Sequence, residues 1–590
     1  MPKAVFDNSD ILEDCFRKLS RINNVTRNCK KTSGIAGTYV DIWLVETEVE
    51  ISNRAIDVSY YLCFKYTFPY SLPKVILNRY DLPFKYIPHV EENNSMCLFE
   101  DNVIYSTDNP FGIIQECLER ANKYLLKPIL KEEFEEILEK MLERHFAEEI
   151  KAYWSNKYEN EPELNFGFMH SFLSYPIYTS TVNVICQTKG LYGGYKYIIY
   201  DSEEQSLIRF FNEYKKNNFI LSQGLFIADL TIPDTPPYFI TNNMFIGMLS
   251  TDSIVSFRKY INSKNRVEKY VFFYLNKSGL IGGIRYPIIE TNIKGFRPNT
   301  LSPFDVLANQ RKAEKARRLL SVEYSNNRIE NRTSGAINRK YKFLIAGLGS
   351  VGSHLVYFLN NINYPDFVFV DNDVLSIDNI GRHLLGYADV RKAKVDAMVE
   401  YIKLIRPDQN VFGSQTVFEE YINTHLDAIN KNDYLFVAIG NKQAEDFLIK
   451  MMVDNIISVP VFILWVEPYL ASGQCLYLKS DDAQKYHEQF CKSVYNHHVI
   501  SDDEYSNSEN PKLERREAGC QASYSPYSSN DLVLFLSALY PHINNVIKGV
   551  QLSSFRFCWI GDLNKIIELD IAISDEYNSS DSFTSKLTEI

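Results

Sequence analysis

Apolar residues change period along this chain, and the changes mark its elements. Near the start, Ile11, Leu12, Cys15, Phe16 and Leu19 recur at helical spacing, which predicts a short amphipathic helix. Residues 39–46 and 57–66 alternate or concentrate β-branched and aromatic side chains, as strands of an antiparallel meander do. After Pro110 a helix is expected through Ile113, Ile114, Cys117, Leu118 and Leu125, then a highly charged one with a solvated face over residues 131–152. Residues 153–305 are Tyr-rich, with strand candidates at 181–187, 195–200 and 269–275. The basic stretch 311–318 reads as a helix face, and 321–340 as a polar loop. Residues 341–346 are a continuous apolar run of strand type. Residues 350–361 return to helical spacing through Val351, Leu355, Phe358 and Leu359, and 367–370 and 434–439 are further buried strands. The Ser/Asp-rich residues 576–590 read as disordered.

These changes divide the 590 residues into three expected domains: 1–152, a middle linker domain at 153–305, and 306–590. The fold class expected is α/β multidomain, with an α+β N-terminal domain and a Rossmann-like C-terminal one. A formal charge of −11 gives no electrostatic footprint for nucleic acid or an anionic membrane. No apolar run approaches the roughly 18 residues of a membrane span, and no charged-then-apolar leader opens the chain. Ten cysteines without framework or Cys-x-x-Cys spacing predict reduced thiols and a cytoplasmic protein. Cys475, Cys491 and Cys558 lack ligand spacing, and the His497-His498 pair reads as a loop rather than a metal site.

Chemistry concentrates after the apolar run at 341–346. Gly347, Gly349 and Gly352 form a tight turn between a strand and a helix, which aims the helix N-terminus at phosphate. Asp371 stands 19 residues beyond Gly352, where a carboxylate can accept from ribose hydroxyls. Asp373, Asn379, Arg382 and Lys394 follow. Two cations after an acidic ribose site suit a nucleotide that reacts at its phosphates, and a nicotinamide-dependent oxidoreductase would gain nothing from them. This array resembles the adenylation motif of ubiquitin-activating enzymes and of the ThiF and MoeB activators of sulfur-carrier proteins. The resemblance implies ATP as cofactor with Mg2+, Asp371 as ribose ligand, Asn379, Arg382 and Lys394 around the phosphates, and a homodimer. It also implies an Asp for magnesium after the 434–439 strand, but Gly440-Asn441 stands there. Asp373, Asp433 or Asp446 would have to serve instead, or the nucleotide itself would hold the metal, so the metal ligand is left unknown. Members often add an upstream Arg, for which Arg311, Arg317 and Arg318 are candidates. In the same family a downstream cysteine takes the acyl group as a thioester, and Cys520, ahead of Ser525-Pro526-Tyr527, has the right order. The absence of Cys-x-x-Cys argues against sulfur transfer to a cofactor.

The N-terminal region carries a second pattern. A Pro-rich corner, Phe68-Pro69-Tyr70-Ser71-Leu72-Pro73, leads to a strand, then Pro88-His89, then Cys97-Leu98 eight residues after His89, then Tyr105. This order resembles a ubiquitin-conjugating-enzyme domain, which implies Cys97 as a thioester carrier. His89 falls where that family has an Asn that supports the oxyanion, so His89 becomes a candidate donor or base.

Conjugating-type domain followed by activating-type domain resembles the bacterial fused enzymes of cyclic-oligonucleotide anti-phage signalling operons (CBASS). That resemblance implies adenylation of a partner's C-terminus, a thioester on Cys520, transfer to Cys97 and then to a target amine such as lysine. The implied partner is a cGAS-like nucleotidyltransferase, primed by the modification. The alternatives are the same chemistry with a small ubiquitin-like protein, and a catalytically dead binding scaffold.

Overall fold

The computed structural model describes residues 8–29, 35, 37–51, 54–78, 90, 94–99, 103–129, 163–168, 179–187, 197–200, 219–230, 240–263, 267–274, 281–297, 300–323, 326–335, 339–406, 409–490, 498–506, 510–516 and 523–590. Among the described residues the chain divides into two compact units, one through Glu323 and one from Asn326 onward.

The first unit opens with helix α1 (Ser9–Leu19), whose acidic Asp10 in the first turn and Arg17 and Lys18 in the last complement the helix dipole. Strands β1 (Asn24–Thr26), β2 (Asp41–Ile51), β3 (Arg54–Phe64) and β4 (Lys74–Asn78) form the expected antiparallel meander. Pairing Trp43 with Leu62 and Val45 with Tyr60 puts one row of large side chains on one sheet face. Leu12, Cys15 and Leu19 of α1, and Ile113, Ile114 and Cys117 of helix α2 (Pro110–Ile129), cover that face. Asp41 is buried at the start of β2 and accepts from Trp43 Nε1 at 2.8 Å, Arg27 Nε at 2.6 Å and Ile42 N at 2.9 Å. The expected helix at 131–152 lies outside the described residues.

The middle region is a closed seven-stranded barrel, where a linker domain was expected. It consists of β5 (Glu163–Phe168), β6 (Thr179–Gln187), β7 (Tyr197–Tyr200), β8 (Phe219–Ile227), β9 (Lys269–Tyr274), β10 (Ile281–Tyr286) and β11 (Arg317–Glu323). Between β8 and β9 lie α3 (Asn242–Gly247) and α4 (Thr251–Ile261); Phe245 and Phe257 pack from these helices against Val271, Phe273 and Ile284. Closure requires β11, which pairs β10 antiparallel and β5 parallel. Residues 306–323 therefore sit with the barrel, and the boundary expected at 305/306 moves past Glu323. The basic stretch read as a helix face instead leaves a π-turn at Gln310 and enters β11 at Arg317. Its spacing alone does not distinguish the two, because the strand is held by non-local partners, Gly283 opposite Leu319 and Glu163 opposite Leu320.

The second unit is built on an eight-stranded sheet in the order β14-β13-β12-β15-β16-β17-β20-β21. The parallel part comprises β12 (Lys342–Ala346), β13 (Asp366–Val370), β14 (Val411–Ser414), β15 (Tyr434–Val437) and β16 (Val461–Val466). Three antiparallel strands extend it: β17 (Ser472–Leu478), β20 (Phe555–Ile560) and β21 (Ser585–Glu589). Along β12, Phe343 and Ile345 face one core while Leu344 and Ala346 face the other. Helices α5 (Ser350–Asn360), α6 (Lys394–Ile405) and α9 (Ser529–Ile547) pack on the first face. Helices α7 (Phe418–Ile429) and α8 (Lys442–Val453) cover the second. Both sheet faces are thus buried, which explains why these strands read as apolar runs rather than alternations. The expectation of disorder at 576–590 fails: β21 pairs with the sheet edge, and Leu587 and Ile590 pack against the two cores.

Asp41→Ala would leave the buried Trp43 N–H without its acceptor and take from Arg27 one of its two carboxylate partners. It is expected to cost about 2–4 kcal/mol, read by denaturant unfolding, with Asp41→Asn costing less.

Candidate functional site

The parallel strand order reverses between β12 and β15, and the crevice beyond the carboxyl ends of those strands is where such sheets bind ligands. The glycine turn fills the start of that crevice. Gly347 has φ +86°, and a Cβ there would meet the Ala438 carbonyl oxygen at 2.6 Å. A Cβ on Gly352 would meet the Gly347 oxygen at 1.9 Å, so only glycine lets α5 pack this closely on its own turn. Gly349 faces open space and stands at the N-cap of α5, with no side chain capping the helix's first amides.

Asp371 closes the turn. Its Oδ2 accepts from Leu348 N at 2.6 Å and its Oδ1 from Asp373 N at 2.8 Å, joining the glycine loop to the end of β13. Burial pushes its carboxyl above the ordinary range, against the opposing pull of Lys394 and the two amides. Lys394, buried at the first turn of α6, reaches Asp373 Oδ2 at 2.8 Å. Asn379 accepts from Ser376 N through its side-chain oxygen at 3.0 Å, and its own carbonyl accepts from the Arg382 and His383 amides. That turn presents Arg382.

His383 was not singled out by its sequence, yet it supports the same turn. Leu385 N donates to its Nδ1 at 3.0 Å, so Nε2 carries the proton and donates to the Leu348 carbonyl at 2.7 Å. Burial holds this neutral imidazole down to about 4. Glu467 was missed for the same reason, being one acidic residue in an apolar context. It is buried and accepts from Val499 N, Ile500 N, Tyr505 Oη and Ser472 Oγ, fixing the 498–505 segment on the sheet. Desolvation raises its carboxyl to about 6.

A crevice of about 490 Å³ opens beside the glycine turn, between Gly349-Ser350 and Gly440, with Trp465, Glu445 and His498 in its walls. Burial, with the Asp446 charge adding to it, raises Glu445 to about 7 despite Lys442.

Cys520 lies outside the described residues, but its flanks are described. β18 (Arg515–Arg516) pairs antiparallel with β19 (Ser523–Tyr524), so Cys520 falls in the connection between two paired strands. The residues after β19 dock on the nucleotide-side elements. Arg382 Nη1 donates to the Ser525 carbonyl at 3.0 Å and its guanidinium lies 4.9 Å from the Tyr527 ring centroid. Tyr527 Oη hydrogen-bonds with Ser350 Oγ at the start of α5. Tyr469 N donates to the Pro526 carbonyl at 2.6 Å from a left-handed turn. Sequence reading singled out Ser525-Pro526-Tyr527 only as a marker downstream of Cys520.

In the first unit, Cys97 follows Met96, whose amide bonds the Val75 carbonyl on β4 at 2.9 Å. Ser95, Met96 and Leu98 are buried while Cys97 is exposed. Cys15, Cys29, Cys63, Cys117, Cys475 and Cys558 are buried. Burial raises Cys15 to about 11 and Cys63 and Cys117 to about 12, so those thiols stay protonated. Arg120 of α2 donates to the Leu98 carbonyl at 3.2 Å and lies 4.5 Å from the Phe99 ring centroid, pinning the segment on the far side of Cys97. His89 lies outside the described residues.

The glycine turn, the bare α5 N-terminus, Asp371 and the nearby cations fit a nucleotide. A protein-held magnesium does not fit. The Asn441 side-chain oxygen caps α8 by accepting from Ala444 N at 3.0 Å, and Asp446, Asp373 and Asp433 are paired with Lys442, Lys394 and Arg339. Among the described residues no group of three His, Cys, Asp or Glu side chains could hold a metal. No described helix is long and apolar enough to cross a membrane.

Comparison with known proteins agrees with both domain readings. Residues 328–493 match the ThiF family and residues 37–162 match Prokaryotic E2 family B. A tRNA threonylcarbamoyladenosine dehydratase of Haemophilus influenzae is 29% identical over 125 residues, which cover 20% of this chain and 46% of the dehydratase. Among solved structures, PaaA (TM-score 0.29, 16% identity, 42% of this chain and 64% of that one) and E. coli MccB with an MccA variant (TM-score 0.29, 14% identity, 42% and 64%) are similar. The chain thus spans less than two thirds of the length of each of these relatives. It joins an E2-like domain to a ThiF-type adenylation domain.

Gly352→Ala is expected to lower stability by about 1–3 kcal/mol, because the α5 N-terminus must move off its turn. Gly349→Ala, at an open N-cap, should cost less than about 1 kcal/mol in the same denaturation experiment. The neutral His383 predicts a pH effect of definite sign. Its contribution is fully present above about 6.5 and is lost as the pH falls toward and through about 4, since the unfolded chain binds the proton first. Wild-type stability at pH 4.5 should therefore drop relative to His383→Gln by on the order of 2–3 kcal/mol more than it does at pH 7.5. The subtraction removes Glu467, whose raised carboxyl acts with the opposite sign.

Proposed function

Because the chain pairs the two domain types of a ubiquitin-activating/conjugating-like enzyme, we propose that it activates a partner protein's C-terminal carboxylate with ATP and conjugates it to an amine. A carboxylate oxygen of the partner attacks the α-phosphorus and pyrophosphate leaves, giving an acyl adenylate. Gly347, Gly349 and Gly352 cradle the phosphates at the α5 N-terminus, Asp371 faces the ribose, and Asp373 and Asn379 hold Lys394 and Arg382 in place. Those two cations stabilise the charge gathering on pyrophosphate, which is how preorganised sites accelerate phosphoryl chemistry. Any magnesium would have to come bound to the nucleotide, because Asp373, Asp433 and Asp446 are already paired with Lys394, Arg339 and Lys442.

The Cys520 thiolate then attacks the carbonyl carbon and expels AMP. Cys97 takes the acyl group by transthiolation, and a target amine such as a lysine displaces the Cys97 thiolate to form an amide. Each covalent handover replaces one difficult acyl transfer with an easier one. His89 serves as donor or base in the last step. The observation that supports this reading is the bond from Arg382 to the carbonyl of Ser525, which follows Cys520 closely in sequence. The exposure of Cys97 among otherwise buried thiols supports the second half. The partner proposed is a cGAS-like nucleotidyltransferase, primed in anti-phage defence by a dimeric cytoplasmic enzyme; a small ubiquitin-like protein is the second candidate.

Incubation with ATP, magnesium and candidate partner should yield a reductant-sensitive adduct, absent in Cys520→Ala and retained on Cys520 in Cys97→Ala, which makes no amide product. Arg382→Ala should slow adduct formation about 10²- to 10³-fold. Partner binding without any adduct in the wild type would favour a scaffold.

A further inference from the structure

Arg382 and Ser350 are both occupied by one short segment of their own chain. Ser525 offers its carbonyl to Arg382 Nη1, Tyr527 stacks beneath the same guanidinium, and the Tyr527 hydroxyl meets Ser350 Oγ at the first residue of α5. A third contact, Tyr469 N to the Pro526 carbonyl, holds the middle of the segment from the side of β17. Tyr527 also lines the 490 Å³ crevice with Gly349 and Ser350. The groups that would receive a nucleotide's phosphates therefore already have partners, and those partners follow directly on β19 of the hairpin.

We infer that Tyr527 is a positioning residue that latches the hairpin on the phosphate-binding groups, so that ATP and the latch compete for Arg382 and Ser350. This rests on the adenylation reading above and deepens it. Phosphate oxygens are stronger acceptors for a guanidinium than a peptide carbonyl, and a doubly bonded arginine has only one direction to face. Bound ATP takes Arg382 and Ser350, the latch lifts, and the crevice is clear during adenylation. Once pyrophosphate has gone, Arg382 recaptures Ser525 and Tyr527, and the segment that follows β19 returns to the site for the second half-reaction.

Two readouts on the full-length protein test this without any partner. In wild type, saturating ATP should speed amide exchange in the peptide containing Tyr469, because lifting the latch takes the Pro526 carbonyl away. In Tyr527→Ala that exchange should already be fast without ATP, and ATP should bind about 3- to 10-fold more tightly, the competitor having lost its ring. Tyr527→Phe keeps the ring over Arg382 and loses only the Ser350 contact, so its affinity gain should be about 2-fold and its packing intact. With partner added, single-turnover thioester formation in Tyr527→Ala should slow while acyl-adenylate formation does not. Weaker ATP binding in Tyr527→Ala, or ATP binding to wild type without a change at Tyr469, would overturn the latch while leaving the adenylation reading intact. Failure of wild type to bind ATP would overturn both.

Discussion

One carboxylate organises the second unit's site. Asp371 sits at the end of β13 and takes two backbone amides, one from the glycine loop and one from the segment that leads to Lys394. It anchors the loop after β12 to the chain after β13, beside the backbone bond from Gly347 N to the Val370 carbonyl. His383 repeats the logic from the other side, bonding the Leu348 carbonyl while Asp371 bonds the Leu348 amide. The residue in the centre of the glycine loop is therefore held at both of its peptide groups. Such a loop is preorganised before a ligand arrives, which is what stabilising a developing charge requires.

A buried anion is costly, and the site shows how that cost is met. Asp371 is pushed toward protonation by burial and pulled back by Lys394 and two amides. Lys394 is in turn neutralised by Asp373, whose carboxylate stays half in water. The array runs from a buried anion through a buried cation to an exposed anion. The N-terminal site is simpler. A buried segment and an arginine brace leave the Cys97 thiol outward, while burial keeps Cys15, Cys63 and Cys117 of the same unit protonated.

The sequence disclosed what depends on neighbours a few positions away. Gly347 and Gly352 are readable because only glycine tolerates their contacts, and β12, α5 and β13 because their periods are local. The helix at Pro110 was legible from its spacing. The barrel was not, since its closure rests on parallel pairs such as β5 with β7 and β11 with β5, joined across long separations. His383, Glu467 and Tyr527 gave no signal of these contacts either: each bonds a partner far off in sequence, Leu348, Ile500 and Ser350 at separations of 35, 33 and 177 residues. The terminal strand was hidden by its Ser/Asp content, because an edge strand needs only one apolar row to dock.

The central claim is that a carboxylate oxygen attacks the α-phosphorus of ATP. It is tested most directly by supplying a partner whose C-terminal carboxylate is labelled with oxygen-18 and analysing the nucleotide released after one turnover. Displacement of AMP by a thiol must leave one former carboxylate oxygen on the AMP phosphorus, so AMP carrying a single label is predicted. Label in orthophosphate with ADP as the nucleotide, or unlabelled AMP, would contradict the account.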